Sequence, residues 1–245
     1  MSFRKTFLSA CCLMLAAGGI YLLTSLPGSI GTSAGGHGGA AQFTGKHDIK
    51  DSPYFAHPDI YNLKNTENLL ILEHFPTLQQ TTGYTCGPAA ANMVVKYFLG
   101  QTLHSELEVA EVMSSSPTAG TDTRGMTAYF KRLGWTVKSS ADSETPDSYA
   151  AFLEFVRDNL SANTPIIVEN IDWGGHWRVI IGYDNMGTKH TGDDVLLMGD
   201  PFDTSDHLQD GYNIVPAERF FYMWFDHQLY PKKDQLRQWL TAKPK

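Results

Sequence analysis

The sequence predicts an α+β domain, with helices in its first half and an antiparallel sheet in its second. Three observations carry this. Apolar residues recur at helical spacing between residues 87 and 160, as in Ala91, Val94, Val95 and Phe98. After Pro165 the pattern becomes a series of short apolar runs: Pro165–Asn170, His176–Tyr183 and Val195–Met198. The polar stretch Asp184–Asp194 joins the last two runs, which makes them an antiparallel hairpin. Helices followed by an antiparallel sheet is the α+β arrangement.

The elements follow in chain order. Arg4-Lys5 precedes an uncharged, mostly apolar run from Phe7 to Leu26. Residues 1–26 therefore read as a signal peptide or an N-terminal membrane anchor. The run is longer than the ~7–15 residues of a cleaved signal and approaches the ~20 that span a bilayer. Thr32-Ser33-Ala34 offers small residues for cleavage, and Leu8-Ser9-Ala10-Cys11 resembles a lipoprotein box inside the apolar run. Each reading exports residues 42–245 to a periplasmic or extracellular location, with contact to the membrane if the segment stays uncleaved. Residues 27–41 are Gly/Ser/Ala-rich and read as a linker, and residues 42–68 as an extended arm.

The domain is expected over residues 69–230. Leu69–Leu72 reads as a short strand leading into a glutamine-containing loop. A helix is expected over about Gly87–Leu99, with Pro88 in its first turn and Gly100 ending it. Further helices are expected over residues 103–113, Arg124–Leu133, Pro146–Leu160 and Pro216–Phe225, and a strand over Trp135–Lys138. Residues 231–245 read as a tail.

Composition bounds the function. The chain has 245 residues and a formal charge of −7; beyond residue 34, 17 basic and 26 acidic residues leave −9. Lys232-Lys233 is the largest basic cluster outside the N-terminus, so nucleic-acid binding is not expected. The three cysteines are Cys11, Cys12 and Cys86, so the exported part holds one thiol and forms no internal disulfide. The histidines lack short spacings to other ligands and Cys86 has no partner cysteine, so neither a metal nor a cofactor is expected.

The segment Gln80-Thr-Thr-Gly-Tyr-Thr-Cys86-Gly-Pro carries the chemistry. A cysteine at a helix start sits in the positive end of the helix dipole, which favours the nucleophilic thiolate. Gln80, six residues upstream, can offer an amide N–H where an oxyanion develops. A nucleophile needs a base. His37 falls in the linker, and His57, His74, His104, His190, His207 and His227 fall in polar loops or on helix faces. His176 follows Trp173-Gly174-Gly175 and opens an apolar strand, so a rigid element holds it beside a loop that admits substrate. A hairpin folded about residue 188 sets His176 nearly opposite Asp200, close enough for a carboxylate to orient the imidazole. Asp184, at the far end of the hairpin, is the weaker candidate. The structural alternatives are a buried cysteine, a packed strand-edge histidine and an aspartate capping the turn before Pro201.

Together, QTTGYTCGPAAANM, GGHWRVIIGYD and MGDPF resemble the three motifs of cysteine peptidase family 39 and its 39-like relatives, over about residues 72–202. The resemblance implies a papain-like fold. It also implies the oxyanion residue at Gln80, the nucleophile at Cys86, the base at His176 and the orienting acid at Asp200, acting on a peptide or protein substrate. Bacteriocin processors of that family usually form the cytosolic domain of a transporter. The domain expected here is exported and single, so cleavage after a double-glycine leader is not part of the expectation. Two other readings keep the scaffold: a phytochelatin-synthase-like γ-glutamylcysteine transferase, whose thioester is attacked by an amine, and a non-catalytic peptide-binding module.

Overall fold

The first helix, α1 (Cys86–Leu99), explains how the domain is centred. Its first ten residues, Cys86 to Val95, are all buried, so most of it is enclosed rather than laid on the surface. A helix apolar on every side is favoured in such a setting. It ends at Gly100, whose left-handed backbone (φ 75°) returns its N–H to the Lys96 carbonyl, as the sequence predicts. The structure is a computed structural model and describes residues 39–40, 53–204, 206–226 and 235–245. The expected signal or anchor lies outside these residues, as do most of the linker and residues 42–52 of the arm. Among the described residues no helix is long and apolar enough to cross a membrane.

Three further helices follow close to their expected positions: α2 (Glu106–Met113), α3 (Thr123–Arg132) and α4 (Tyr149–Ser161). Each starts one to three residues away from the expected boundary because a capping side chain chooses the start. Ser105 and Glu108 form a reciprocal capping box on α2, Asp122 caps α3, and Ser148 caps α4. Pro146 thus precedes its helix instead of opening it.

The sheet holds β1 (Leu69–Ile71), β2 (Thr136–Ser139), β3 (Ile166–Asn170), β4 (His176–Asp184), β5 (Val195–Gly199), β6 (Tyr212–Pro216) and β7 (Trp239–Lys243). The order is β2-β7-β3-β4-β5-β6, with β1 also paired to β4, and every pairing is antiparallel. Strand β4 is central and buried from His176 to Tyr183, and α1 and α4 both pack against it. The α+β arrangement, with a cysteine-bearing helix on an antiparallel sheet, is therefore the one observed.

Two expectations need correction. The hairpin folds one residue later than expected. Val179 pairs with Gly199 and Ile180 with Met198, a register centred on residue 189, and an irregularity follows between Ile180 and Gly182. One further step sets Asp200 across from Arg178, not His176. Second, residues 231–245 are not only a tail: β7 lies between β2 and β3, with Trp239, Leu240 and Ala242 buried. Its alternation of apolar and polar residues is too short to stand out beside the lysines around it. Residues 203–226, which match none of the quoted motifs, supply the expected helix, α5 (Ala217–Met223), and a strand the sequence does not predict, β6. That helix begins after Pro216 and ends at Met223. Its Phe220 and Phe221 pack on Phe152 of α4.

Candidate active site

Cys86 opens α1 and is 8% exposed. The first N–H groups of a helix have no intrahelical acceptor, so the sulfur sits beside uncommitted backbone donors. Gly87 permits this placement. A methyl group there would meet the Thr121 side chain at 2.7 Å, so only glycine lets the helix start approach that loop. The Trp177 indole N–H donates to the Thr121 carbonyl at 2.9 Å, which ties the same loop to β4.

His176 opens β4, directly after Gly174 (φ 92°) and Gly175 (φ 149°). These backbone angles are open to glycine and strained for other residues. Gly175 is also packed tightly, since a Cβ would lie 2.8 Å from both Glu169 Oε1 and Asp226 Oδ2. His176 Nε2 lies 2.7 Å from Asp200 Oδ1, with both side chains buried. The Cys86 thiol lies close enough to His176 to help raise the imidazole. With Nε2 engaged by Asp200, Nδ1 is the ring nitrogen left to face the thiol. The imidazole thus stands between thiol and carboxylate.

The electrostatics follow from these contacts. Burial by itself pushes His176 down, but the Asp200 charge and the hydrogen bonds to Asp200 and Cys86 outweigh it and bring the imidazole up to about 9. Burial pushes Asp200 up, and the charges of Arg178 and His176, with the hydrogen bonds from His176 and the Phe202 backbone, pull it well below the usual carboxylate range. The Phe202 N–H adds a 2.8 Å bond to Asp200 Oδ1. A charged imidazolium and a charged Asp200 are the states this geometry favours at neutral pH.

Gln80 is buried, with its backbone N–H on the Pro201 carbonyl at 2.8 Å and its Nε2 donating to the Thr82 carbonyl at 2.7 Å. An amide nitrogen has two hydrogens, so that bond leaves a second donor on Gln80. Gln79, next to it, donates through Nε2 to the Asp200 carbonyl at 2.9 Å and accepts from the Asp203 N–H at 3.2 Å. The glutamine loop and the aspartate loop are therefore laced together. Of the residues singled out in the sequence, Cys86, His176 and Asp200 come together, and Gln80 joins them through the Pro201 backbone. Asp184 instead caps a turn, accepting from the Met186 N–H at 2.7 Å.

Residues that the sequence reading missed complete the surroundings. Arg178 sits with Nε 2.8 Å from Asp200 Oδ2 and Nη1 2.9 Å from Asp172 Oδ2. The Asp200 contact is a close ion pair without hydrogen-bond alignment. Its signal was present: residues two apart on a strand share a face, so Arg178 shares one with His176. Glu169, on β3, is 1% exposed and accepts from Gln238 Nε2 at 2.6 Å. Burial, then the hydrogen bond to Asp226 and the charges of Asp226 and Cys86, hold its carboxyl well above the usual range. Nothing local marks Glu169, because its partners come from residues 226 and 238. Among the described residues no group of three or more His, Cys, Asp or Glu side chains is placed to hold a metal ion.

Comparison with known proteins adds the following. The sequence pattern described as "Peptidase_C39 like family" matches residues 72–225. No curated protein matches the chain. Among solved structures, UfSP from C. elegans is similar at 14% identity and a TM-score of 0.50, over 76% of this chain and 36% of that one. The peptidase domain of Streptococcus ComA, a bifunctional ABC transporter involved in quorum sensing, is 21% identical over 70% of this chain and 100% of its own, with a TM-score of 0.47. A double-glycine-motif protease from an AMS/PCAT transporter, solved with its leader peptide, is 17% identical over 69% of this chain and 91% of its own, with a TM-score of 0.40.

Proposed function

Because the chain belongs to the Peptidase_C39 like family of cysteine peptidases, with a papain-like fold, we propose that it hydrolyses a peptide or isopeptide bond through Cys86, His176 and Asp200, with Gln80 in the oxyanion hole. The observation that best supports this reading is the buried His176, 2.7 Å from the Asp200 carboxylate, with the Cys86 thiol among the groups that raise its imidazole.

The reaction follows from these groups. The Cys86 proton resides on His176, which forms a thiolate–imidazolium pair. The thiolate electron pair attacks the scissile carbonyl carbon, and the carbonyl π pair moves to oxygen. The backbone N–H of Cys86 and the second amide hydrogen of Gln80 stabilise that oxyanion. The C–N bond breaks as the oxyanion collapses, and His176 gives its proton to the leaving amine. A thioester on Cys86 remains. Water then attacks it while His176 takes the water proton, and collapse expels the Cys86 sulfur and frees the acid. Asp200 holds the imidazole ring in place and stabilises its charged form.

The test is cleavage of a mixed peptide library by the wild type and by Cys86→Ala. Cys86-dependent products are expected, together with loss of iodoacetamide labelling in the variant and an unchanged fold. Turnover that survives Cys86→Ala would sink the reading.

We also infer that residues 42–245 act outside the cytoplasm. Support comes from Arg4-Lys5 ahead of the uncharged run Phe7–Leu26, and from Cys86 as the one cysteine beyond that run. A fusion to a reporter active only after export checks it, and a reporter inactive in the full-length fusion overturns it.

A further inference from the structure

Two aromatic rings flank the site on its histidine side. Phe202 stands edge-on to His176, with ring centroids 6.4 Å apart and planes at 81°. Trp173 stands edge-on to Phe202 at 5.4 Å and 62°. The chain therefore places a row of three rings that starts at His176 and ends at a tryptophan 51% exposed to solvent.

Trp173 is held there against its own conformational preference. Its backbone is left-handed, with φ 59° and ψ 14°, a region that glycine or asparagine enters far more easily than a bulky aromatic residue. The turn around it is fixed. The Asp172 carboxylate pairs with Arg178 at 2.9 Å, and the Gly174 and Gly175 N–H groups close on the Ile171 and Asp172 carbonyls at 2.9 and 3.1 Å. About half of Trp173 stays exposed, so packing against the domain does not by itself account for this strained position. Strain kept at a site's edge points to ligand contact.

The direction of the reaction says which part of a substrate meets these rings. In the proposed hydrolysis the leaving amine takes its proton from His176, so the chain that follows the scissile bond must run past the histidine side of the site. Phe202 and Trp173 lie there. The carboxylate of the same turn, Asp172, is paired with Arg178 of β4, so the exposed indole presents an apolar surface.

Building on the peptidase reading, we propose that Trp173 and Phe202 form the leaving-group subsite, and that it selects a large apolar or aromatic side chain on the residue directly after the scissile bond. Trp173 acts as a specificity-determining residue; it supplies contact area and takes no part in proton transfer.

The experiment reads the new amino termini formed when the full-length protein digests a peptide pool randomised on both sides of the cleaved position. Phe, Tyr, Trp, Leu and Met are expected to exceed Gly and Asp at that terminus by about tenfold, a size typical of discrimination by an apolar pocket. Trp173→Ala is expected to flatten this preference, mainly by raising KM for the apolar-terminated substrates, and Trp173→Phe to keep most of it. Alkylation of Cys86 by iodoacetamide, measured in parallel, reports whether the nucleophile is intact in each variant. A Cys86-dependent product pool with no preference at that terminus, or a preference that Trp173→Ala leaves untouched, overturns this inference alone. Products that persist in Cys86→Ala overturn the peptidase reading itself, whatever Trp173 does.

Discussion

The Arg178 guanidinium lies 2.8 Å from Asp200 Oδ2, on the carboxylate oxygen that His176 does not use. Asp200 is thus shared between a buried cation and the imidazole, and 1% of it is exposed. Arg178 stabilises the carboxylate, yet its charge also opposes protonation of His176. One residue therefore keeps the acid ionised and limits how strongly the acid raises the base.

Removing that cation leaves a buried carboxylate without its full complement of partners. Arg178→Met is expected to lower stability by about 3 kcal/mol, the range for breaking one side of a buried ion pair. Urea unfolding measures this. The alkaline limb of kcat/KM should move to higher pH in the same variant, because Arg178 no longer opposes the imidazolium.

The pH dependence follows from His176. Its pKa is raised from the ordinary 6.5 to about 9, so the imidazolium persists through neutral pH and is lost as pH passes about 9. Activity that needs it should fall there. Asp200→Asn removes the charge that raises it, so the limb should move to lower pH by about one unit or more. A pH–rate profile of both proteins checks the direction. The stability supplied by the raised histidine is fully present below pH 6.5 and lost as pH rises through about 9. The share from the depressed Asp200 is lost as pH falls below the ordinary aspartate range.

Glu169 makes the opposite kind of contribution. Its carboxyl is held well above the usual value, so the folded state keeps a proton that the unfolded chain releases. The fold is then favoured most below the ordinary glutamate pKa, and that advantage declines as pH rises toward the raised value. Glu169→Gln keeps the shape without the titration. Thermal unfolding from pH 5 to 9 should show a shallower decline in the variant; an identical slope would mean that Glu169 is not the titrating group.

Gly175→Ala should cost activity more than fold. Its Cβ would press on Glu169 and Asp226 at 2.8 Å while the backbone sits at φ 149°. Overpacking of this kind costs about 1–3 kcal/mol, and the displaced residue adjoins His176. A large fall in kcat with a folded circular dichroism spectrum is expected.

A change far from the site provides the contrast. Ser105 caps α2 and exchanges bonds with Glu108 in both directions. Ser105→Ala should cost about 1 kcal/mol of stability and leave kcat/KM and the pH profile as in the wild type.

Much of the site was legible because its parts are local. Cys86 was readable as a helix start from Pro88, the following apolar residues and Gly100. His176 was readable as a strand start from the Trp-Gly-Gly turn and the apolar run behind it. The pairing of His176 with Asp200 was expected from a hairpin centred on residue 188, and the contact exists although the centre is residue 189. The expectation reached the right pair through the wrong register: Asp200 continues the ladder opposite Arg178, and His176 reaches it along the diagonal. The side-chain period of a strand preserved the face while the direct neighbour changed.

What the sequence determined by itself is the set of short-range features: apolar periodicity, capping residues, a thiol at a helix start and an imidazole at a strand start. Each depends on sterics and hydrogen bonds within a few residues. Only the tertiary structure decided the rest. It put β7 between β2 and β3, set the register that brings Arg178 to Asp200, joined Glu169 to residues 226 and 238, and left Trp173 exposed beside Phe202. Those outcomes rest on pairings between residues far apart in the chain, whose energies come from mutual burial and charge contact that local periodicity does not encode.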